Sequence, residues 1–384
     1  MAGSIDEFMA RKAEEGLLRK LLPISDRKNG KITFDGKEFI DLSSNDYLGL
    51  SNHPKLIEAS CAALEKFGTS SSASRLLSGD LEIHHLLEAK TAKLKNKDSA
   101  LVFNSGYQAN VGIISSLYGD GDLVLSDRLN HASIIDGILL SRAKLLRFEH
   151  NDLNHLEDTL KRERSSFKKA LIVTETIFSM DGDRPDLAGL VDLKERYDCE
   201  VMVDEAHATG IFGGRGSGIV EEEGLAERID LIMGTFSKAL GSFGAYLAAS
   251  ESIVDYLINT CRSFIYTTAL PPAVIACNLA GLELVKEEPH RRIELLRRAS
   301  YFRDGLHKRG FRIRGSSQIV PLIIGDNFKT KKLAEALQDR GWWASPIRPP
   351  TVPKNEARIR FSLTYYHDEE TLKRLIDDIA EIGI

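Results

Sequence analysis

Between residues 98 and 250, short continuous apolar runs alternate with longer segments of helical periodicity. An apolar run without polar alternation is typical of a strand that is covered on both faces, as in a parallel sheet. The intervening helices would supply that cover. We therefore predict an α/β fold with a mostly parallel central sheet, and functional residues at the carboxyl ends of its strands. The apolar runs are ALVF, DLVLSD, KLLRF, ALIVTET, EVMVDEA, DLIMGTF and GAYLAAS.

Outside this region, local signals predict further elements. The apolar pattern of residues 4–22 predicts a helix, and Asp35-Gly36 predicts the turn of a hairpin. Asp80 has the residue type of an N-cap and precedes a helical pattern. Beyond about residue 290, the strands FRIRG, IVPLIIG and ARIRFSLT alternate with helices, which is the order of a small α+β domain with an antiparallel sheet.

These patterns predict three segments. Residues 1–50 form an N-terminal helix and hairpin segment, residues 51–288 form the large domain, and residues 289–384 form a smaller C-terminal α+β domain.

Composition and charge exclude several classes of protein. Lys and Arg total 51 against 56 Asp and Glu, a net charge of −5, which is not the field of a nucleic-acid binder. The weakly charged stretch 267–282 is too short and too rich in proline to span a membrane, so we expect no membrane partner. The first 16 residues carry both signs of charge, unlike a secretory signal. Four cysteines without a C-x-x-C pair fit free thiols, so we expect a cytoplasmic protein.

The segment DEAH at 204–207 follows an apolar strand, as does the magnesium-binding box of helicase-type ATPases. That chemistry also requires a phosphate-binding loop of the form G-x-x-x-x-G-K-[ST]. The sequence contains none, because its two Gly-Lys pairs are followed by Ile or Glu. A nucleotide-dependent helicase is therefore a weak alternative.

Asp204 and Lys238 offer a better explanation. Asp204 ends a predicted strand, where a buried carboxylate needs a cationic partner such as a pyridinium nitrogen. Lys238 follows another strand, and its neighbours Thr235 and Ser237 carry hydroxyls. Such a lysine suits a Schiff base beside a phosphate, although alone it could be a surface lysine in a Ser/Thr turn. Together the two residues indicate a pyridoxal 5′-phosphate (PLP) site.

Three further features of the sequence fit this site. Gly106 and Tyr107 open a predicted helix after a strand, and a helix N-terminus attracts phosphate. His131 begins another predicted helix and could stack on a planar ring, while His207 could contact a cofactor oxygen. Alone, the first is equally well explained as an ordinary strand–helix turn, and His131 as a capping histidine.

Taken together, the motifs resemble the α-oxoamine synthases, which are fold-type-I PLP enzymes. The resemblance extends over nearly the whole chain and implies a homodimer whose sites form at the subunit interface. The segment FIYTTALPP at 264–272 matches the stretch that reaches a neighbour's phosphate site in that family. The motifs, in chain order, are SSNDYLGL, NSGYQAN, HND, FSMDGD, VDEAHATG, GTFSKALGS, IRPPTVP and ARIRFSLT.

The resemblance implies a role for each matching residue. Lys238 would hold PLP covalently, Asp204 would pair with its pyridine nitrogen and His131 would stack on its ring. His207 and Ser179 would contact the oxygen face of the ring. The remaining implied contacts are Gly106, Tyr107 and Thr235 with the phosphate, Arg360 and Asn45 with the amino-acid carboxylate, and Arg19 and Thr351 with the acyl substrate. By spacing alone, Arg358 could replace Arg360, because both lie on one face of a strand.

RFEHNDLNHLE and IRPPTVP favour the branch of the family that condenses L-alanine with a pimeloyl thioester in biotin biosynthesis. The thioester could be carried by coenzyme A or by an acyl carrier protein. Glycine C-acetyltransferase and a fold-type-I aminotransferase are the alternatives. One departure concerns residues 70–72, where three serines stand in a loop that contains glycines in many relatives.

Overall fold

The computed structural model of the chain describes residues 2–383. These residues form two compact units. The small unit contains the described residues of 1–49, 180–183 and 294–384, and the large unit contains 50–179 and 184–293.

Helices occur in both units of the described chain. They are α1 (Ala2–Glu14), α2 (Pro54–Phe67), α3 (Glu82–Lys95), α4 (Gly106–Leu117), α5 (Ala132–Ser141), α6 (Leu153–Glu163), α7 (Leu187–Arg196), α8 (Ile219–Glu222), α9 (Glu251–Thr260), α10 (Arg262–Ile265), α11 (Pro272–Glu287), α12 (His290–Lys308), α13 (Asn327–Asp339) and α14 (Glu369–Ile382), with a 3-10 turn at Arg164–Ser166.

The strands form three sheets. They are β1 (Asp26–Lys28), β2 (Lys31–Phe34), β3 (Lys37–Asp41), β4 (Ser99–Phe103), β5 (Leu123–Asp127), β6 (Lys144–Phe148), β7 (Ala170–Glu175), β8 (Glu200–Asp204), β9 (Leu231–Thr235), β10 (Ala245–Ala249), β11 (Ile319–Gly325), β12 (Trp342–Trp343), β13 (Pro346–Ile347) and β14 (Ala357–Ser362).

The large unit is built on a seven-stranded sheet in the order β4-β10-β9-β8-β7-β5-β6. Strand β10 runs antiparallel to both of its neighbours, and the other adjacent pairs are parallel. Every residue of β5, β7, β9 and β10 is buried. This burial explains why their sequences are continuously apolar rather than alternating. The predicted α/β fold with a mostly parallel sheet is confirmed.

One core of the large unit packs helices α4 and α5 against this sheet. Ile113 of α4 and Ile138 of α5 are fully buried in a cluster with Val124, Val173 and Met202. Burying each such side chain contributes roughly 1.5–3 kcal/mol. The core therefore fixes the N-terminal ends of α4 and α5 relative to the strand ends.

The small unit contains two sheets. One has the order β1-β2-β3-β12, and the other has the antiparallel order β11-β14-β13. Strands β2 and β3 form the predicted hairpin, in which Asp35 and Gly36 both have positive φ angles of 49° and 72°. Two positive φ angles are typical of a type I′ turn, whose twist suits a two-residue hairpin.

The helix predicted over residues 4–22 is too long, because α1 ends at Glu14. Gly16 has a φ of 65°, and the backbone N–H of Leu17 donates to the carbonyl of Lys12 at 2.8 Å. A glycine in the left-handed conformation satisfies the last carbonyl groups of a helix and stops it.

Two other local predictions are wrong. The FRIRG segment is not a strand, since Ile313 makes a single isolated bridge to Leu322. Asp80 is not the N-cap of α3, a position that Leu81 takes. The Asp80 carboxylate instead binds Arg75 and His85, so tertiary partners compete for the group that a cap would need.

Within residues 2–383, no helix combines the length and the apolar character that crossing a membrane requires.

Candidate active site

Polar side chains end three neighbouring strands of the large sheet. Glu175 is the last residue of β7, Asp204 of β8 and Thr235 of β9. Glu175 lies opposite Asp204 in the register of β7 and β8. Because these strands are parallel, their carboxyl ends meet at one edge of the sheet, where α/β proteins bind ligands.

The Asp204 carboxylate is buried and held in a fixed orientation. The side-chain amide of Asn110 donates to its Oδ2 at 2.9 Å, and the backbone N–H of Ala206 donates to its Oδ1 at 2.8 Å. Asp204 is only 5% exposed, so these donors compensate for its lost hydration.

A hydrogen-bonded chain links Asp204 to His131. His131 is the N-cap of α5, and its Nδ1 lies 2.8 Å from the hydroxyl of Ser133. That hydroxyl accepts a bond of 3.0 Å from Asn110, which also donates to Asp204. Asn110 is the last residue of the motif NSGYQAN, but the sequence analysis assigned no role to it or to Ser133.

Lys238 also interacts electrostatically with His131. Burial lowers the pKa of His131, the Asp204 carboxylate opposes that shift and Lys238 adds to it. The three groups therefore share one site. A histidine with a lowered pKa is neutral at physiological pH, which suits a ring that stacks on another ring.

The N-terminus of α4 adds anion-binding capacity beside His131. Ser105 caps this helix through a bond from the backbone N–H of Gln108, and Gly106 and Tyr107 are its first two residues. Their N–H groups have no acceptor within the helix. The Tyr107 hydroxyl binds Asp136, which raises the pKa of Tyr107, and its ring lies edge-on to His131 with centroids 6.5 Å apart.

Lys238 lies in the turn after β9 and is half-buried. The Thr235 hydroxyl donates to the carbonyl of Gly244 at 2.7 Å, which closes the connection between β9 and β10. Gly241 has a φ of 66°, and a Cβ there would lie 2.5 Å from the backbone nitrogen of Ser51. Only glycine fits this close approach.

His207 and Ser179 complete the large-unit set. His207 is buried in the turn that follows β8, and Ser179 is half-buried four residues beyond β7. Burial raises the pKa of Glu175 at the end of β7, and the nearby backbone of Ser179 opposes that rise.

The donor set of the large unit fits PLP. It contains a buried carboxylate for a pyridinium, a lysine amine for an aldehyde and a helix N-terminus for a phosphate. Two buried oxygen atoms of the same cluster, Oδ1 of Asn110 and Oε1 of Glu175, have no hydrogen-bond partner. Unsatisfied buried polar atoms are typical of a site prepared for a ligand.

The structure of the small unit distinguishes Arg358 from Arg360, which the spacing in the sequence could not do. Arg358 is fully buried and binds carboxylate oxygens of Asp181 at 2.8 Å and Glu356 at 3.4 Å. Arg360 donates to the Ser362 hydroxyl, and its Nη1 lies 3.4 Å from Oδ1 of Asn45. Arg358 thus belongs to a structural ion-pair network, whereas Arg360 lies beside Asn45, the residue expected to act with it.

Near Asn45, the hydroxyl of Tyr47 accepts a bond of 3.3 Å from Arg360. Burial raises the pKa of Tyr47, and the guanidinium of Arg360 opposes this rise. Tyr47 was not singled out from the sequence.

The two predicted acyl-substrate residues also lie together in the small unit. The guanidinium of Arg19 donates to the Thr351 hydroxyl at 2.9 Å. Arg19 lines a cavity of about 860 Å³ whose walls include Phe8, Leu17 and Lys354. A smaller cavity of about 120 Å³ lies between Arg19, Thr351 and Arg348.

Comparisons with known proteins show the family of the chain. The chain matches the profile of the family described as "Aminotransferase class I and II" over residues 37–379. It is 47% identical over 371 residues to 8-amino-7-oxononanoate synthase of Geotalea daltonii. The aligned region covers 96% of this chain and 94% of that protein.

Solved structures extend the comparison. Serine palmitoyltransferase from S. paucimobilis, with a bound PLP–myriocin aldimine, matches with a TM-score of 0.94 and 30% identity over 99% of this chain and 96% of that chain. The 8-amino-7-oxononanoate synthase of Francisella tularensis matches with a TM-score of 0.78 and 29% identity, over 90% of this chain and 97% of that chain.

Fold and site together define a PLP-dependent enzyme with a fold-type-I large unit. The strand-end carboxylate, the lysine and the α4 N-terminus are the parts that such an enzyme requires. The chain belongs to the class I and II aminotransferase family and, within it, to the 8-amino-7-oxononanoate synthases, which are acyltransferases.

Proposed function

We propose that this chain condenses L-alanine with a pimeloyl thioester to give 8-amino-7-oxononanoate, CO₂ and a free thiol, as a step of biotin biosynthesis. The observation that carries the proposal is the buried Asp204 carboxylate, held by Asn110 in the same cluster as Lys238 and His131. The name of a relative at 47% identity gives the product, 8-amino-7-oxononanoate, and the resemblance to the α-oxoamine synthases implies the two substrates. We also propose that the reaction takes place in the cytoplasm.

Bound PLP supplies an electron sink for a carbanion at the amino-acid Cα. The residues that would hold it are Lys238 at the aldehyde carbon, Asp204 at the pyridine nitrogen, His131 at the ring, His207 and Ser179 at the ring oxygen, and Gly106, Tyr107 and Thr235 at the phosphate. Asp204 holds a proton at the pyridine nitrogen, and the bond from Asn110 keeps its carboxylate oriented for that task.

Lys238 acts as the general base. With its amine available, Nζ would remove the proton from the alanine Cα and, after loss of CO₂, would return a proton to Cα. A lysine is a useful base only if its amine is close to the proton, so the turn between β9 and β10 must hold it in place. The hydrogen bond from Thr235 to Gly244 stiffens this turn.

Arg360 binds the carboxylate of alanine. A planar guanidinium grips a carboxylate with two parallel hydrogen bonds, which fixes the orientation of the bond to be broken. Its neighbours Asn45, Tyr47 and Ser362 hold the guanidinium in one rotamer. Asn45 offers an amide as a further contact.

Arg19 and Thr351 bind the acyl substrate. The larger cavity beside Arg19 is lined by apolar side chains such as Phe8 and Leu17 and by the cation of Lys354. Apolar walls suit a chain of methylene groups, and the cations suit the terminal carboxylate that distinguishes a pimeloyl chain from a heptanoyl chain.

The test is a thiol-release assay over a matrix of two amino acids and four thioesters. We expect kcat/KM to be highest for alanine with pimeloyl-CoA or a pimeloyl carrier protein, and lower with heptanoyl-CoA. A preference for glycine with acetyl-CoA would identify a glycine C-acetyltransferase. Conversion of alanine to pyruvate with a 2-oxo acid acceptor and no thiol release would identify an aminotransferase. Either of these two results contradicts the proposal.

A further inference from the structure

Lys95 and Glu205 form an ion pair that is buried within the large unit and that the proposed reaction does not use. Their charged atoms, Nζ and Oε2, are 2.6 Å apart, and the two side chains are 1% and 0% exposed. Removing one partner of such a pair leaves an unpaired charge away from water, which is costly. Glu205 directly follows Asp204, the last residue of β8, so the pair lies one residue from the carboxylate of the PLP site.

The pair is fully hydrogen-bonded, and its bonds identify the Lys95 amine as an ammonium group. Nζ donates to Oε2 of Glu205, to the Thr209 hydroxyl at 3.1 Å and to the carbonyl of Ser217. Three acceptors match the three N–H donors of an ammonium and exceed the two of a neutral amine. The other carboxylate oxygen, Oε1, accepts from the backbone N–H of Val220 at 3.0 Å. Protein groups therefore compensate both buried charges.

The glycine-rich loop of residues 213–218 closes over the Glu205 carboxylate. Gly218 has a φ of 140°, and a Cβ at this position would lie 2.4 Å from the carboxylate oxygens of Glu205. The backbone N–H of Gly218 donates to the carbonyl of Phe212 at 2.9 Å, which closes the loop. Only glycine allows this close approach, so the loop fits around the ion pair.

Glu205 also organises the turn that follows β8. Its backbone carbonyl accepts from the N–H groups of Ala208 and Thr209, both at 2.9 Å. Its own N–H donates to the carbonyl of Met233 in β9 at 2.8 Å. His207 lies inside this turn. Because the ion pair anchors the side chain of Glu205, the turn is held through both backbone and side chain.

A second chain of contacts leads from the ion pair to the turn that carries Lys238. The hydroxyls of Thr209 and Tyr246 lie 2.8 Å apart, and the ring of Tyr246 packs on the ring of Phe236 with centroids 5.2 Å apart. Phe236 is fully buried, and its backbone N–H donates to the carbonyl of Gly244 at 2.9 Å. Since Phe236 stands two residues before Lys238, these contacts fix the start of that turn.

We propose that Lys95 and Glu205 are positioning residues of the PLP site. Their ion pair holds the turns that follow β8 and β9 at a fixed separation. The first turn carries His207 shortly after Asp204, and the second carries Lys238. PLP is a rigid ring, so the residues at its nitrogen and at its aldehyde must keep one separation. The proposal rests on the PLP-site residues proposed above and not on the identity of the amino acid or the thioester.

The test measures PLP binding and urea unfolding without substrates, for Lys95→Met and for the double variant Lys95→Met/Glu205→Gln. Lys95→Met leaves a buried carboxylate without its cation and should destabilise the holoenzyme strongly. The double variant removes that charge and should recover most of the lost stability. We expect the double variant still to bind PLP about tenfold more weakly than the wild type. Binding must then order both turns, at a cost near one hydrogen bond to a charged group.

Recovery of wild-type PLP affinity together with stability would show that the ion pair is merely structural and would overturn the proposal. The visible circular dichroism of bound PLP is a second readout, because it depends on how the chromophore is oriented. We expect the signal per bound PLP to fall in the double variant, and an unchanged signal would also overturn the proposal. A wild-type chain that binds no PLP would overturn the proposed function and this inference together.

Tyr246→Phe decides the question even if the Lys95 variants do not fold. It removes only the hydroxyl that lies against Thr209, and we expect it to raise the dissociation constant for PLP about fivefold. Tyr118→Phe is the matched control, because Tyr118 is likewise buried but donates to Glu200, at the opposite end of β8, at 2.6 Å. We expect no change of PLP binding in the control. Unchanged PLP affinity in Tyr246→Phe, or an equal loss in both variants, would overturn the proposal.

Discussion

Asp204 is the residue whose charge matters most for the proposed chemistry. Asp204→Asn keeps the size of the side chain but removes the charge that holds a proton at the pyridine nitrogen. It also places an amide donor opposite Asn110 or Ala206, which both donate to this side chain. We expect kcat to fall by about 10²–10³ or more, in the range for loss of a preorganised electrostatic partner.

The measurement for Asp204→Asn is exchange of the alanine Cα hydrogen with deuterated solvent. PLP content by absorbance serves as the control, because loss of the cofactor would also abolish exchange. Exchange at the wild-type rate in PLP-loaded Asp204→Asn would contradict the assigned role.

Arg360 and Arg358 should separate into a binding residue and a structural residue. We expect Arg360→Lys to raise KM for alanine roughly tenfold or more, the cost of one charge-assisted hydrogen bond. Arg358→Lys should leave KM unchanged but lower the free energy of unfolding by about 1–3 kcal/mol, because it disrupts buried bonds to Asp181 and Glu356. Steady-state kinetics and urea unfolding of both variants test this. Exchanged phenotypes would show that the register of the assignment is wrong by two residues.

At this scale the sequence predicted the residues that carry recognisable motifs. Asp204 and Lys238 could be paired because each follows an apolar strand and each has a chemical need for a partner. Asn110 and Tyr47 lie within the motifs NSGYQAN and SSNDYLGL, but no role could be predicted for them or for Ser133. Their importance depends on which side chains the fold brings within 3.3 Å, and no local pattern encodes that distance.

Among the elements, the strands of the large sheet were predictable and several boundaries were not. A short, continuously apolar run between helices is most simply explained as a buried strand. The full burial of β5 and β7 agrees with that pattern. The end of α1 depends on the single left-handed Gly16. The cap of α3 depends on Arg75, which binds the expected capping residue Asp80. Both helix ends are decided by local contacts and backbone conformation, which hydrophobic periodicity does not reveal.

The turn between β14 and α14 contains a pH-sensitive element. His367 is 2% exposed, its Nδ1 accepts from the backbone N–H of Thr364 at 3.1 Å, and burial lowers its pKa to about 4. In the unfolded chain the pKa returns to about 6.5. Between these values the unfolded state binds more protons, so the free energy of unfolding falls as the pH falls, by at most about 3 kcal/mol from this group.

We expect His367→Asn to flatten that dependence, since asparagine keeps an acceptor for the Thr364 N–H group but does not titrate. Urea unfolding of both proteins at several pH values between 4 and 7 measures the two slopes. Equal slopes would show that His367 does not contribute.

For the whole molecule, we propose a homodimer. Leu77 and Tyr266 are 81% and 73% exposed in the single chain. Their segments are joined, because the backbone N–H of Ala269 donates to Ala73 at 3.0 Å. Asn104, two residues before α4, donates to the carbonyl of Thr268 at 2.9 Å. An exposed apolar surface continuous with the N-terminal side of α4 is what a subunit interface at the PLP site requires.

Sedimentation equilibrium should therefore give a dimer. Leu77→Asp should raise its dissociation constant about tenfold or more, since a charge would be buried in the interface. The exposed Leu139→Asp, on α5, is the comparison, for which we expect no change. A wild-type chain that is monomeric and fully active by light scattering would contradict the proposal.

The most direct measurement is a labelled turnover experiment with L-[1-¹³C]alanine and pimeloyl-CoA. We expect one labelled CO₂ and one free thiol for each molecule of product, and an unlabelled product with the mass of 8-amino-7-oxononanoate. Retention of the label in the product, or consumption of alanine without release of thiol, would contradict decarboxylative condensation as the function of this chain.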